Sequence, residues 1–198
     1  MSGIGSIRKL AGSKYLSLYE LDAIARDGSH FPYYMASRTG NTQELKATTG
    51  SIRADGVAVY AVYQGEYLVM LRQYRYPVGG YVYEFPAGLV EPGEDVTQAA
   101  IRELYEETGL TLTPVHTARP YYTTVGMTDE ACATVFGTCQ GTPNVSHQED
   151  TEDIQVLLVD RKEAARILKE EQVAIMCAYH LMHFLSDTEN PLSFVDKL

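Results

Sequence analysis

The stretch from Gly88 to Leu110 constrains the fold of this chain more than any other part of the sequence. It predicts a turn-rich loop, one helix and a second turn. Asp95 is placed to accept hydrogen bonds from the first N–H groups of the helix, and Gln98, three residues later, to reach back to the cap. Gly109 stands where the helix must end, a position that favours a left-handed residue without a Cβ. The sequence therefore predicts a helix that begins after Asp95 and ends at Gly109.

The two faces of this predicted helix differ. The side that we expect to be buried consists of Thr97, Ala100, Ile101, Leu104 and Thr108. Glu103, Glu106 and Glu107 converge on the other side, where like charges at this spacing destabilise a helix. Arg102 is close enough to offset them, and Glu94 adds a carboxylate from the loop. Such a cluster is either a solvated acidic face or a site for a hard cation such as Mg²⁺, which takes oxygen ligands and bridges to phosphates.

The spacing of this stretch is G-x5-E-x7-R-E-U-x-E-E-x-G-U, where U is a bulky aliphatic residue. Its fixed positions are Gly88, Glu94, Arg102, Glu103, Leu104, Glu106, Glu107, Gly109 and Leu110. In this pattern the chain resembles the Nudix hydrolases, and so many positions at fixed spacing make the resemblance specific. The resemblance implies the Nudix fold, an α/β (α+β) three-layer α/β/α sandwich with a mixed sheet. It also implies Mg²⁺-dependent hydrolysis of a nucleoside diphosphate linked to another group.

Composition narrows the class of partner. The chain has 198 residues, is 45% hydrophobic and carries a formal net charge of −10. This predicts one domain with a small appendage, and it argues against nucleic acid and anionic membranes as partners. An anionic substrate would be repelled unless local cations intervene, which favours a metal-dependent site. We expect a cytoplasmic protein, because no apolar run has the length of a membrane span, the start lacks a signal-peptide core, and the few cysteines lack C-x-x-C spacing.

The first 45 residues predict a small antiparallel strand appendage, and residues 46–198 the Nudix domain. Residues 1–14 are predicted as a loose or helical lead-in. Tyr15–Asp22 and Phe31–Arg38 are predicted as paired strands around the turn at Gly28. A sheet of this size is only marginally stable alone, so we expect it to pack on something else.

In the remaining chain, apolar and β-branched runs predict strands at Val57–Tyr63, Tyr67–Gln73, Val82–Phe85, Ala118–Thr123, Ala131–Cys139 and Ile154–Val159. Two closing helices are predicted at Arg161–Lys169 and Gln172–Leu185. His180 and His183 lie on the second of these helices. Their spacing would suit a metal, but no partner ligand is evident, and surface or half-buried histidines without a metal are the favoured interpretation.

Several segments outside the helix resemble the ADP-ribose pyrophosphatase branch of the family. They are Gln73–Arg75, Glu84–Gly88, Gly126–Glu130 and Glu152–Ile154. In that branch, N-terminal strands pack across a dimer. The chain departs from the branch at Val125, where Pro is usual, and it has Tyr15 and Tyr33 where Trp commonly stacks on adenine.

The resemblance implies roles for individual residues. The implied metal ligands are the carbonyl of Ala87 and the carboxylates of Glu103, Glu106, Glu107 and Glu152. The implied catalytic residues are Glu152 or Asp150 as general base, Arg102 as the group that orients a carboxylate, and Glu106. The implied substrate-binding residues are Arg75, Arg38, Tyr15, Tyr33, Glu84 and Gly126. For the charged members of this set the alternative is a structural ion pair, for the tyrosines it is strand packing, and for the loop carboxylates it is a solvated acidic loop.

The function predicted from the sequence is hydrolysis of ADP-ribose to AMP and ribose 5-phosphate by a homodimer. The cofactor would be Mg²⁺, with Mn²⁺ as an alternative. Two other functions stay open. One is a nucleotide-sugar diphosphatase of the UDP-glucose or GDP-mannose type, and the other is a non-catalytic nucleotide-binding sensor.

Overall fold

The computed structural model describes residues 1–146, 148, 153–186 and 190–197. The chain divides into two compact units. The N-terminal unit consists of Met1–Asp55 and Pro120–Cys132, and the sheet unit of Gly56–Arg119 and Ala133–Leu198. The N-terminal unit thus extends beyond residue 45, the predicted end of the appendage, and includes a second segment from later in the chain.

The N-terminal unit is built on a three-stranded antiparallel sheet in the order β1-β2-β3. Its elements are β1 (Gly3–Gly12), β2 (Ser17–Ile24), β3 (His30–Ser37), a 3₁₀ turn (Thr42–Glu44) and the short helix α1 (Lys46–Thr49). Its small core consists of Tyr19, Leu21, Met35 and Leu45. The strands predicted at 15–22 and 31–38 are confirmed as β2 and β3, with shifts of one or two residues at their ends.

The prediction for residues 1–14 is wrong, since most of this segment forms β1. Ile7 is half-buried and every other residue of the strand is exposed, so the sequence carries no alternation of apolar and polar residues. The strand forms because its backbone pairs with β2, from Gly3 opposite Ile24 to Gly12 opposite Ser17. Backbone pairing of this kind leaves no pattern in the side chains.

The remaining elements, in chain order, are β4 (Gly56–Tyr63), β5 (Tyr67–Arg75), β6 (Gly80–Glu84), β7 (Ala87–Leu89), α2 (Val96–Thr108), β8 (Thr111–Thr117), β9 (Tyr121–Tyr122), β10 (Ala131–Gln140), β11 (Ile154–Val159), α3 (Arg161–Glu170), α4 (Ile175–Ser186) and a 3₁₀ turn (Val195–Lys197). The main sheet has the strand order β11-β5-β4-β10-β8. β6 pairs with β5, β7 with β4, and β9 with the start of β10.

The central strand β4 explains the layered architecture. Val57, Val59 and Ala61 point to one face of the sheet, where they pack with α2 residues such as Leu104. Tyr60 and Val62 point to the other face, where they pack with α3 and α4. A strand buried on both faces carries a continuous apolar run, as the sequence from 57 to 63 does. The predicted α/β/α class is confirmed by these helix layers on either side of the sheet.

Most predicted elements of the sheet unit are confirmed, but the strand predicted at 118–123 is wrong. The structure instead has β8, which ends at Thr117, and the two-residue β9. Pro120 lies between them, and proline cannot donate a ladder hydrogen bond. None of the helices in the described part of the chain is both long and apolar enough to cross a membrane.

His180 on α4 lies inside an aromatic cluster. The centroid of its ring lies 5.6 Å from that of Tyr60, 5.7 Å from that of Phe85 and 5.7 Å from that of Phe136. His183, one turn later, packs edge-on against Phe194 at 4.1 Å. Both histidines therefore have packing roles, and neither belongs to a three-ligand His, Cys, Asp or Glu group among the described residues.

The His180 cluster predicts a pH dependence of stability. Burial lowers the pKa of His180. The unfolded chain therefore binds a proton at this residue more readily, and stability is full above the ordinary histidine pKa of about 6.5 and falls as pH drops below it. The loss from one group is at most about 1.4 kcal/mol per pH unit. Urea unfolding at pH 7.0 and at pH 5.5 should show a smaller loss for His180→Phe than for the wild type, and equal losses would contradict this account.

Candidate active site

The helix α2 has the ends that the sequence predicts. The side chain of Asp95 accepts from the N–H groups of Thr97 at 2.8 Å and Gln98 at 2.9 Å, and the Gln98 side chain accepts from the N–H of Asp95 at 3.0 Å. At the other end Gly109 has φ 70°, and its N–H donates to the carbonyl of Tyr105 at 2.8 Å. Both caps are confirmed, and they fix where the helix begins and ends.

The faces of α2 differ from prediction at two positions. Ile101, expected to be buried, is 38% exposed, and Glu107, expected on the open face, is 4% exposed. For Glu107 the physical reason is a donor from outside the helix, and nothing in the structure explains the exposure of Ile101. The carboxylate of Glu107 accepts the backbone N–H of Ala87 at 3.0 Å, so a buried charge is stabilised by a hydrogen bond. Helical periodicity does not reveal such a partner.

Arg102 gathers the other carboxylates. Its Nε and Nη2 donate to the two oxygens of Glu94 at 3.0 and 2.9 Å, in a bidentate pair. Its Nη1 donates to Glu103 at 2.8 Å and to Glu106 at 3.0 Å. Its Nη2 also donates to the carbonyl of Leu89 at 3.0 Å. One guanidinium therefore contacts three carboxylates and the end of β7, which explains how a helix face with this charge is tolerated.

The electrostatics of the cluster follow from these contacts. Hydrogen bonds to Glu94 raise the pKa of Arg102 well above its ordinary value; burial opposes this, and Glu103 and Glu106 add to it. The hydrogen bonds from Arg102 in turn hold the pKa of Glu94 below its usual range. Three carboxylates against one guanidinium give the cluster a formal net negative charge.

Gly88 allows a close approach between β7 and α2. A Cβ built on Gly88 would overlap both carboxylate oxygens of Glu103. The backbone of Gly88 is therefore in direct contact with this carboxylate. Glycine is required at this position because the Glu103 side chain approaches the backbone closely, and not because of an unusual backbone angle.

The structure brings together four of the five predicted metal ligands. Ala87 lies on β7, and Glu103, Glu106 and Glu107 lie on the adjacent helix α2. Within the described ranges, no three His, Cys, Asp or Glu side chains are arranged to hold a metal. Arg102 lies between several of these carboxylates. Glu152, the fifth ligand and a candidate base, and Asp150, the other candidate base, lie outside the described residues.

Arg75 and Glu84, both predicted to bind substrate, contact each other. Nε of Arg75 donates to Glu84 at 2.5 Å and Nη2 donates to its second oxygen at 2.9 Å, across the β5–β6 pair. The Glu84 side chain is 16% exposed and that of Arg75 is 42% exposed. Arg75 and Glu84 therefore form an ion pair with each other, and the pair presents one oriented guanidinium at the sheet surface.

The other predicted substrate residues lie in the N-terminal unit. The hydroxyl of Tyr33 donates to the carbonyl of Gly126 at 2.7 Å, so two of the predicted residues meet. Arg38 donates to Glu130 at 2.7 Å, a partner that the sequence analysis missed. Tyr15 is exposed, and the ammonium of Lys14 lies 4.8 Å from its ring centroid. The Arg38 pair joins residues 92 positions apart, which no local pattern reveals.

The comparison with known families agrees with this geometry. The NUDIX domain model matches residues 52–179, well over half of the chain. The chain therefore belongs to the Nudix family.

Two relatives within the family are named for the substrates that they hydrolyse. The ADP-sugar pyrophosphatase of Mus musculus is 44% identical over 77 residues, which is 37% of this chain and 35% of the mouse protein. The ADP-ribose pyrophosphatase of Bacillus subtilis is 30% identical over 118 residues, 59% of this chain and 64% of that protein. The chain thus spans less than two thirds of the length of either relative.

A solved structure shares the fold. The crystal structure of an ADP compounds hydrolase aligns with a TM-score of 0.67 at 18% identity, and the alignment covers 93% of this chain and 94% of the other. At this identity the likeness shows a common fold.

The Gly88 contact predicts a loss of function without unfolding. In Gly88→Ala the new methyl group overlaps the far end of the Glu103 side chain, which can move away at low cost in stability but leaves its position. We expect thermal stability within a few degrees of the wild type and a fall in turnover of about 10²-fold, because small misplacements at a reacting centre have effects of this size. Gly80→Ala is the matched control, since its Cβ meets only Gln172 at 3.9 Å. Wild-type turnover in Gly88→Ala would contradict the role of Glu103.

Proposed function

We propose that this chain is a Mg²⁺-dependent pyrophosphatase that hydrolyses ADP-ribose to AMP and ribose 5-phosphate. The observation that carries the proposal is a cluster of four carboxylates at α2. Arg102 joins Glu94, from the loop before the helix, to Glu103 and Glu106, and Glu107 is buried against β7. The relatives named ADP-sugar and ADP-ribose pyrophosphatase support an ADP-sugar substrate.

The chemistry of the donors fits a hard divalent cation. Ionised carboxylates and a backbone carbonyl are the oxygen ligands that Mg²⁺ takes in proteins. The contact between Gly88 and Glu103 brings a carboxylate against the β7 backbone, and Ala87 is on the same strand. We assign Glu103 and Glu107 as principal ligands, with Glu106, the Ala87 carbonyl and Glu152 completing the set, and Mn²⁺ as an alternative metal. When bound, the cation would neutralise phosphate charge and lower the pKa of a bound water.

The remaining residues have supporting roles in the proposed reaction. Arg102 holds Glu103 and Glu106 in place and does not contact substrate. Asp150 or Glu152 acts as the general base that takes the proton of the attacking water, which gives a rate effect of about 10²–10⁴-fold for such a group. Glu84 orients Arg75, and the guanidinium of Arg75 binds the diphosphate, for which a planar cation is suited.

The N-terminal unit would bind the nucleoside. We propose that Tyr15 and Tyr33 contact the adenine, that Arg38 contacts the ribose or diphosphate, and that Gly126 belongs to the same binding region. The unit leaves several aromatic side chains exposed, including Phe31 at 45% and Tyr34 at 54%. A second copy of the chain would cover such residues by two-fold symmetry. We therefore propose a homodimer. Sedimentation equilibrium should give twice the mass of one chain, and a mass equal to one chain would contradict the proposal.

Two other functions are alternatives to the hydrolysis of ADP-ribose. The substitution of Val125 for the usual Pro favours a different nucleotide sugar, such as UDP-glucose or GDP-mannose, as the second candidate. A binding-only sensor is less favoured, because binding alone has no use for the α2 carboxylates. We also propose a cytoplasmic location, which the three free cysteines support.

A substrate panel tests the proposed function. The purified chain is incubated with Mg²⁺ and ADP-ribose, UDP-glucose or GDP-mannose, and products are separated by chromatography. We expect AMP and ribose 5-phosphate from ADP-ribose, with the largest kcat/KM in the panel. Glu107→Gln keeps the shape and the Ala87 contact but loses the charge, and it should lower kcat by orders of magnitude.

The same experiment has clear contrary outcomes. Faster hydrolysis of a UDP- or GDP-sugar would assign the substrate to the second candidate. Binding of ADP-ribose with no product at any Mg²⁺ concentration would favour the sensor. Full activity of Glu107→Gln would remove the carboxylates of α2 from the mechanism.

A further inference from the structure

The last turn of α2 carries two of the residues that the proposed function needs. Glu106 and Glu107 are the third-last and second-last residues of the helix, which ends at Thr108. The last four carbonyls of any helix lack intrahelical partners, and an end without caps frays. Fraying here would move both carboxylates, so what caps these carbonyls bears directly on the site.

Residues from the segment after β10 supply the caps. The backbone N–H of Asn144 donates to the carbonyl of Thr108 at 2.8 Å. The side-chain amide of Gln148 donates through Nε2 to the carbonyl of Glu107 at 2.9 Å. Two consecutive carbonyls at the end of α2 are thus satisfied from a segment about forty residues away in sequence. Gln148 thus contacts the backbone of Glu107, whose carboxylate accepts the N–H of Ala87.

Asn144 and its described neighbours make further hydrogen bonds. The side chain of Asn144 accepts from the hydroxyl of Ser146 at 2.6 Å and from its N–H at 3.3 Å, which makes a local turn. The hydroxyl of Tyr63 on β4 donates to the carbonyl of Gly141 at 3.0 Å. A Cβ on Gly109 would overlap the amide of Asn144, so this glycine both ends the helix and leaves room for the cap.

We infer that Asn144 and Gln148 are positioning residues that cap the last turn of α2 and thereby hold Glu106 and Glu107 for the metal. The inference rests on the proposed function for the identity of the ligands. Gln148 acts through a single donor, since its target is a carbonyl that only accepts. Removal of that donor should loosen the turn. Mutation of a residue that positions a metal ligand typically lowers metal affinity 10–100-fold.

The experiment uses the full chain and Mn²⁺ alone as probe. Gln148→Ala removes the donor, and Gln148→Lys restores a donor that is also favourable at a helix C-terminus. Gln140→Ala is the matched control, because Gln140 is an exposed glutamine at the end of β10. Mn²⁺ affinity is measured by the loss of the free-ion EPR signal. Amide hydrogen exchange of residues 105–110 reports the helix end, and thermal unfolding reports global stability.

We expect Gln148→Ala to raise the Mn²⁺ dissociation constant about tenfold and to speed exchange at the helix end about tenfold, with little change in melting temperature. Gln148→Lys should recover most of both effects, and Gln140→Ala should match the wild type. Unchanged Mn²⁺ affinity in Gln148→Ala, or an equal loss in Gln140→Ala, would overturn the inference. Faster exchange with unchanged affinity would also overturn it, because the cap would then be structural only.

Failure of the proposed function is distinguishable from failure of this inference. A wild-type chain that binds Mn²⁺ but leaves ADP-ribose intact would overturn the assigned substrate and leave the cap test as it stands. A wild-type chain that binds no Mn²⁺ would overturn the assigned ligands, and with them the inference that the cap serves a metal.

Discussion

Arg102 and the carboxylates around it are the interaction on which the rest of the site depends. Three glutamates at these positions would repel one another on a bare helix face, and Glu94 adds a fourth carboxylate from the preceding loop. One guanidinium, bidentate to Glu94 and singly bonded to Glu103 and Glu106, offsets much of that repulsion and links the helix to the end of β7. Glu107 is stabilised separately, by the N–H of Ala87. The result is a partly buried cluster of carboxylates with a formal net negative charge, which is the basis of the proposed cation site.

The fold places this cluster by a small number of backbone requirements. The capping box at Asp95 and the left-handed Gly109 fix where α2 begins and ends, and Gly88 allows β7 to approach Glu103. Packing of α2 on the face of the sheet formed by Val57 and Val59 then sets the rotation of the helix. The position of the cluster therefore depends as much on two glycines and a cap as on the charged residues themselves.

Local patterns predicted the parts of the structure that local physics determines. The ends of α2 and the strand β4 follow from caps and an apolar run, and both were predicted from these local features. The helix layers on either side of the sheet were implied by the family resemblance. The strand β1 and the burial of Glu107 were missed, because each depends on a partner elsewhere in the chain.

The same limit applies to the site. Spacing alone identified the carboxylate cluster and Arg102, whereas the partners of Arg75, Arg38 and Glu107 required the folded chain. Pairing of Arg75 with Glu84 joins two strands, and the cap from Gln148 joins a loop to a helix end. Such contacts are set by tertiary geometry, and no residue type or spacing in this sequence predicts them.

The central claim is that the α2 carboxylates form the metal centre of a pyrophosphatase. Crystals grown with Mn²⁺ and examined at wavelengths on either side of the manganese edge test it most directly, because the anomalous signal locates the metal without any assumption about the substrate. The account predicts an anomalous peak bounded by Glu103, Glu107 and the carbonyl of Ala87, with Arg102 still paired to Glu94. A peak elsewhere in the chain, or none beside α2 at saturating Mn²⁺, would contradict it.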